Sequence, residues 1–305
     1  MDLRTLSFFL AVAEERSIKK AAEKLHKTQP NVTRSIHALE QELGATLFVR
    51  STKGTLLTEE GRFFRDRAEE ILLLVKKSQE EFAAFKCEEL RGKIVLSAGE
   101  SEGMRNLVKI MAEFKRKYPK IEFSILSGNG KVVAQEISNG LSDLGIVFEP
   151  FDLTPYHSLE LPWIEEWAVL MRKDDPLASY DRIIAKMLYE RPLLISEQTQ
   201  TAKKLWTWMG KTPEELNVFA YYSLANTPKL MVEEGLGLML MFDRLLELGP
   251  QSSLTTRPLS PSLTAKTFLI WKKDKILSKA AAGFLKFLKD ETNSEPPLAL
   301  SSSLN

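Results

Sequence analysis

The sequence predicts an α/β protein headed by a small all-α winged helix-turn-helix, with a long linker helix between the two. Three observations carry this. Residues 3–43 hold three amphipathic stripes separated by very short connectors. From Thr58 a continuous helical pattern runs without a strong breaker until Gly92. Beyond Gly92, short apolar runs alternate with helical stripes, the pattern of strand and helix in turn.

The first stripe is Leu3, Leu6, Leu10 and Ala13, at the three-and-four spacing of one helix face. Ser17 offers an N-cap to a second, short stripe of Ile18, Ala21, Ala22 and Leu25. Thr28 offers another cap, with Pro30 in the first turn, where a missing N–H costs nothing. Val32, Ile36, Leu39 and Leu43 form the third stripe, and Gly44 suits its C-terminal end. The second and third helices almost abut, as in a helix-turn-helix. Thr46–Arg50, a turn at residues 51–54 and Thr55–Leu57 then read as a small hairpin, or wing.

Thr58 caps the long helix, whose first turn carries Glu59 and Glu60 at the positive end of the helix dipole. Phe64, Ala68, Ile71, Val75, Ser78, Phe82 and Phe85 alternate spacings of four and three. A sustained period of 3.5 predicts a dimerisation seam through Phe64, Ala68, Ile71, Val75, Phe82 and Phe85. The alternative is a helix packed on its own domain. Further on, Ile94–Leu96, Ile121–Leu126 and Leu144–Phe148 read as strands of a parallel sheet, with helices between them. Ser101 is expected to cap the first of those helices. Trp167–Met171 opens a second strand–helix run that closes with Lys266–Trp271 and a helix near Ser278–Lys289. Residues 291–305, rich in Ser, Glu and Pro, read as a flexible tail.

Composition bounds the function. Lys and Arg number 42 against 41 Asp and Glu, so the net charge of +1 gives no global sign of a nucleic-acid partner. The signal is local instead. Arg16, Lys19, Lys20, Lys24, Lys27 and Arg34 face only Glu23 over the same stretch, and the hairpin adds Arg50 and Lys53. With its apolar stripe turned inward, the third helix leaves Gln29, Asn31, Thr33, Arg34 and His37 outside. Gln and Asn pair with adenine, Arg with guanine, and the Thr methyl with a thymine methyl. The predicted DNA-reading set is Lys19, Lys20, Thr28, Gln29, Pro30, Asn31, Thr33, Arg34 and His37, with Arg50 and Lys53 contacting the backbone or minor groove.

Other chemistries find no support. Three scattered histidines and the single Cys87 cannot fill a zinc site, and one cysteine permits no intrachain disulfide. There is no nucleophile elbow, dinucleotide fingerprint or phosphate loop, and His157 is the only histidine after residue 90. The expectation is a non-enzyme without metal or cofactor. The rival is a ligand-binding α/β protein, or an enzyme, with an accessory DNA-binding domain. No apolar run reaches the length of a membrane span and no signal peptide is visible, so a cytoplasmic location is expected.

The order Ala21-Ala22, Gln29-Pro30, Leu39-Glu40, Leu43-Gly44, Leu47-Phe48-Val49-Arg50 and Leu57-Thr58-Glu59-Glu60-Gly61 resembles the LysR-type transcriptional regulators over about the first 60 residues. Thr28 and Thr33 stand where serine is more usual, which keeps the hydroxyl. The rest of the chain resembles the family in layout. The resemblance implies a DNA-binding domain at 1–58, a linker and dimerisation helix at 59–90, and an effector-binding domain at 91–290. That domain would have two periplasmic-binding-protein-like subdomains, about 91–162 with 266–290, and 163–265. It also implies homodimers that pair into homotetramers on double-stranded DNA, a small effector between the subdomains, and RNA polymerase as a further partner.

In such a sheet, ligands lie beyond the carboxyl ends of strands, near helix N-termini. That rule selects Gly99, Glu100, Ser101, Asn129, Glu149, Ser196, Gln198, Ser223 and Asn226. Glu100, Glu102 and Glu149 bring acids to one wall. They predict an effector with an amine or many hydroxyls, unless Lys131 or Arg105 pairs with them.

Overall fold

The computed structural model describes residues 1–52, 54–85, 89–197 and 203–294. The chain divides into two compact units, Met1–Ala83 and the remainder from Ala84.

In the first unit, helices α1 (Leu3–Glu15), α2 (Ile18–Lys24) and α3 (Gln29–Leu43) are started by their own side chains. Asp2 accepts from the Thr5 N–H at 2.7 Å and Ser17 from the Lys20 N–H at 3.3 Å. Thr28 stands at the α3 N-cap without a side-chain hydrogen bond, and Gly44 closes that helix at φ +65°. The three apolar stripes converge on one core that includes Leu6, Phe9, Val12, Ala22, Val32, Ile36 and Leu39. Each fully buried Leu, Phe, Val or Ile side chain among them contributes about 1.5–3 kcal/mol.

Strands β1 (Phe48–Ser51) and β2 (Gly54–Leu57) form the antiparallel wing. The first strand begins two residues later than the sequence suggests. The Leu47 and Phe48 N–H groups donate to Glu40 Oε1 at 2.8 and 3.2 Å, so α3 holds the chain there before the ladder starts. The Thr55 N–H donates to the Arg16 carbonyl at 2.9 Å, which ties the wing to the α1–α2 turn. Gly54, at φ +108°, makes this approach feasible, since a Cβ would stand 2.6 Å from that carbonyl.

Helix α4 (Glu59–Phe85) starts where Thr58 Oγ1 accepts the Gly61 N–H at 2.9 Å. Its first turns take Ala68 out of the expected dimerisation seam. Ala68 is fully buried in the N-terminal core, and Phe64 and Ile71 pack against the same cluster. Phe64 meets Phe9 edge-on at 5.0 Å. The apolar stripe of this stretch therefore closes its own domain, and Ala68 has no surface to offer a second copy. Val75 is half-buried, Phe82 is 65% exposed, and the Phe85 side chain lies outside the described residues.

The second unit carries a nine-stranded sheet among the described residues. Its strands are β3 (Gly92–Ala98), β4 (Ile121–Ser127), β5 (Leu144–Phe148), β6 (Tyr156–Arg172), β7 (Leu193–Ser196), β8 (Val218–Tyr222), β9 (Leu238–Phe242), β10 (Leu254–Pro258) and β11 (Thr264–Lys272). They run in the order β4-β3-β5-β11-β6-β9-β7-β8, with β10 also on β6. The helices are α5 (Met104–Lys117), α6 (Gly130–Ser138), α7 (Lys203–Met209), α8 (Asn226–Glu233) and α9 (Lys279–Ser294).

The sheet is mixed rather than parallel. β3, β4 and β5 are parallel to one another, as are β7, β8 and β9, but β6 and β11 run antiparallel to their neighbours. β6 pairs with β11 along its first part and with β9 and β10 along its last, so one 17-residue strand serves both halves. Its first part, with His157, Glu160, Glu165 and Glu166, lacks the apolar run by which the other strands were recognised. At the C-terminus, α9 continues to Ser294, past the expected start of the tail, and residues 295–305 lie outside the described set. Among the described residues no helix is long and apolar enough to cross a membrane.

Candidate functional sites

The N-terminal unit presents α3 outward. Gln29, Pro30, Thr33, Arg34 and His37 share one shallow open groove. Thr28, Gln29, Pro30, Asn31, Arg34 and His37 are exposed, with Thr33 half-buried beneath them. Val32, Ile36 and Leu39 face the core, which fixes this side of the helix toward solvent. Lys19 and Lys20 are exposed on α2 and, with Arg16, Lys27 and Arg34, form no ion pair among the described residues. Lys24 differs, since Glu14 and Glu15 hold its ammonium at 2.9 and 3.0 Å, which makes it a brace between α1 and α2. Arg50 lies in β1 opposite Thr55, and Lys53 lies outside the described residues.

Glu40 is a residue whose role the sequence alone did not assign. One carboxylate oxygen accepts the two N–H groups that start the wing, and the other lies 3.4 Å from His37 Nδ1. A single side chain thus links the exposed face of α3 to the hairpin. Its adjacency to Leu39 in sequence marks it only as the polar neighbour of a core position.

The α/β unit holds a cleft with about 740 Å³ of empty space, its open mouth included. Gly99 and Glu100 follow β3, Gly128 follows β4, and Phe148, Glu149 and Pro150 close β5. Ser196, Ser223, Trp167, Tyr222 and Phe242 line the opposite side. The structure therefore brings Gly99, Glu100, Glu149, Ser196 and Ser223 together. Gln198 lies outside the described residues.

Three expected lining residues stand elsewhere. Asn129 is buried and caps α6, its Oδ1 accepting the Val132 N–H at 3.1 Å. Asn226 is exposed as the first residue of α8. Ser101 does not cap α5, which starts after Gly103. Instead the Gly103 N–H donates to Glu165 Oε1 at 3.1 Å, and the Ser101 hydroxyl is buried beside that contact. Glu165 comes from β6, 62 positions away, and is only 3% exposed. Burial pushes its carboxyl up from the ordinary value.

The acids of the wall separate into paired and unpaired. Glu102 pairs with Arg105 at 2.9 Å. Glu149 accepts from Lys204 at 3.4 Å and from the Lys266 N–H at 3.3 Å. Glu100 is exposed and has no hydrogen bond or ion pair among the described residues. Aromatic rings link the two sides, with Phe242 meeting Trp167 at 4.9 Å and Phe148 at 5.2 Å, both edge-on. The Tyr222 hydroxyl donates to the Leu240 carbonyl at 2.7 Å, and burial pushes its phenol far up. Reasoning from polar turn residues missed Trp167, Tyr222 and Phe242, because a strand aromatic facing a cleft has the same sequence signature as one facing the core.

Comparison with known proteins covers both units. Residues 3–62 match the model of the bacterial regulatory helix-turn-helix protein, lysR family, and residues 88–293 match the LysR substrate binding domain. The chain is 29% identical over 292 residues to the uncharacterized HTH-type transcriptional regulator YvbU of Bacillus subtilis (strain 168), covering 95% of this chain and 98% of that one. It is 27% identical over 294 residues to the HTH-type transcriptional activator CmpR of Synechocystis sp., covering 94% of each. The fold matches full-length CbnR complexed with its target DNA at a TM-score of 0.73 and 18% identity, over 95% of this chain and 99% of that one.

Proposed function

This chain belongs to the LysR family of transcriptional regulators, and from that premise we propose that it acts as a homo-oligomer on a dyad-related DNA site under control of a small effector. The observation that carries the reading is the outward face of α3, where Gln29, Pro30, Thr33, Arg34 and His37 share one surface flanked by unpaired cations. Gln29, Asn31 and Arg34 supply donors and acceptors for base edges, and Thr33 supplies a methyl. Thr28, Lys19, Lys20, Arg50 and Lys53 are assigned to the phosphates. One α3 reads one half-site, so two copies call for two half-sites.

The second copy is assigned to the later turns of α4, through Val75, Phe82 and Phe85, where Phe82 and Leu73 are exposed apolar groups on a helix with polar neighbours. The cleft of the α/β unit is assigned to the effector, whose occupancy changes transcription by RNA polymerase. A preformed, mostly apolar concavity with a few polar groups at its mouth suits a small molecule.

Selection of bound duplexes from a randomised pool, followed by gel shifts across salt, tests this reading. We expect two half-sites related by a dyad, and an affinity whose logarithm falls with log salt by about 0.9 per neutralised phosphate. Phe82→Asp should halve the mass in solution and reduce the footprint to one half-site. Salt-independent binding, or an unchanged mass for Phe82→Asp, would refute the corresponding assignment.

A further inference from the structure

We propose that the ligand of the α/β cleft carries a cationic group, an ammonium or a guanidinium, that is received by Glu100, and that a ligand charged only by a carboxylate is rejected. The proposal rests on the reading of this cleft as the effector site and names the chemical class it takes.

The lining contains two carboxylates, Glu100 and Glu149, and no Lys, Arg or His among the described residues. Lys204 approaches Glu149, but its ammonium is held by that carboxylate and, at 2.7 Å, by the Thr264 carbonyl. Glu149 is thereby neutralised within the protein. Glu100 has no such partner and leaves one negative charge at the mouth.

Two of the helix N-termini beside the cleft already have an acceptor from the protein. The helix that follows β3 begins at a Gly103 N–H bonded to Glu165, and the helix that follows β4 is capped by Asn129. A carboxylate ligand entering beside Glu100 would meet an unpaired like charge, and the one ammonium near the cleft, that of Lys204, is already held by Glu149 and the Thr264 carbonyl. A cation finds the opposite. Glu100 lines the same cleft as the aromatic rings of Phe148, Phe242 and Trp167, whose electron-rich faces attract an ammonium. The Ser223 hydroxyl, on the opposite side, serves a polar atom elsewhere on the ligand.

The test uses the full chain with three probes of one shape and different charge, benzylammonium, benzyl alcohol and benzoate. Each is titrated by thermal unfolding and by tryptophan fluorescence, with Trp167→Phe as the control that locates the fluorescence change in the cleft. We expect benzylammonium to bind best and benzoate worst. Glu100→Gln should weaken benzylammonium about tenfold, the scale of one charge-assisted hydrogen bond, and leave benzyl alcohol unchanged. Benzoate binding as tightly as benzylammonium while altering DNA affinity would overturn the cation proposal and leave the effector reading standing. Equal benzylammonium affinity in the wild type and Glu100→Gln would also overturn the proposal. If none of the three binds or changes DNA affinity, the effector reading of the cleft falls with it.

Discussion

The N-terminal unit and the α/β unit close their cores by different routes. Leu6, Val32, Leu47 and Ala68 meet in one cluster drawn from consecutive elements with very short connectors. The cleft of the α/β unit is closed from far along the chain, since Glu149 at the end of β5 accepts from the Lys266 N–H, 117 positions away. Local closure leaves each helix face dictated by its own sequence period. Remote closure lets one strand, β6, decide what faces what, because it pairs with β11 in one half and with β9 and β10 in the other. The DNA-reading surface is therefore a property of one helix, and the cleft a property of the sheet order.

The largest expected effect lies in the local core. Phe9 is fully buried and touches the rings of Phe48 and Phe64 at 5.2 and 5.0 Å, which joins α1 to the wing and to α4. Phe9→Ala should cost about 3–5 kcal/mol in urea unfolding and abolish duplex binding at temperatures where the wild type is folded. A cost below about 1 kcal/mol would show that this unit is not closed around Phe9, and the contrast with the α/β unit would weaken.

A smaller effect is expected on the surface. Arg34 is exposed in the α3 groove and makes no ion pair, so its removal leaves the fold intact. Arg34→Ala should cost about 1–3 kcal/mol of specific binding and relax base preference at one position. Lys20→Ala should instead weaken all sequences alike and lower the salt slope by about 1. If Arg34→Ala kept the full sequence preference, base reading would belong to Gln29 and Asn31, and one helix face would still carry it.

These two regions were unequally legible in the sequence for the same physical reason. The stripes, the Ser17 and Thr58 caps and the outward face of α3 follow from period and hydrogen-bonding chemistry within a few residues. The seam misplaced Ala68 because a heptad and a helix packed on its own domain share the same apolar spacing over two turns. In the α/β unit, the strand-end rule located Glu100, Glu149, Ser196 and Ser223, since turn residues after strands are visible locally. It could not separate them from Asn129, which uses the same chemistry to cap a helix, and it could not see Glu165 arriving at Gly103 from β6.

Glu165 gives the smallest expected effect and the sharpest test of remote closure. Burial is the leading cause of its raised carboxyl pKa, so the folded state keeps the proton to a higher pH than the unfolded chain, whose value is near 4.5. The stability this group contributes is present in full at low pH and is lost as pH rises through the raised folded value. Glu165→Gln keeps an acceptor for the Gly103 N–H and removes the titration. Unfolding midpoints of both proteins between about pH 4 and pH 8 should therefore show the wild type losing ground to the variant as pH rises. A difference independent of pH would place Glu165 in contact with water. A difference of the opposite sign would mean that the α5 N-terminus stabilises the carboxylate by more than burial costs, making this remote contact a source of stability in its ionised form.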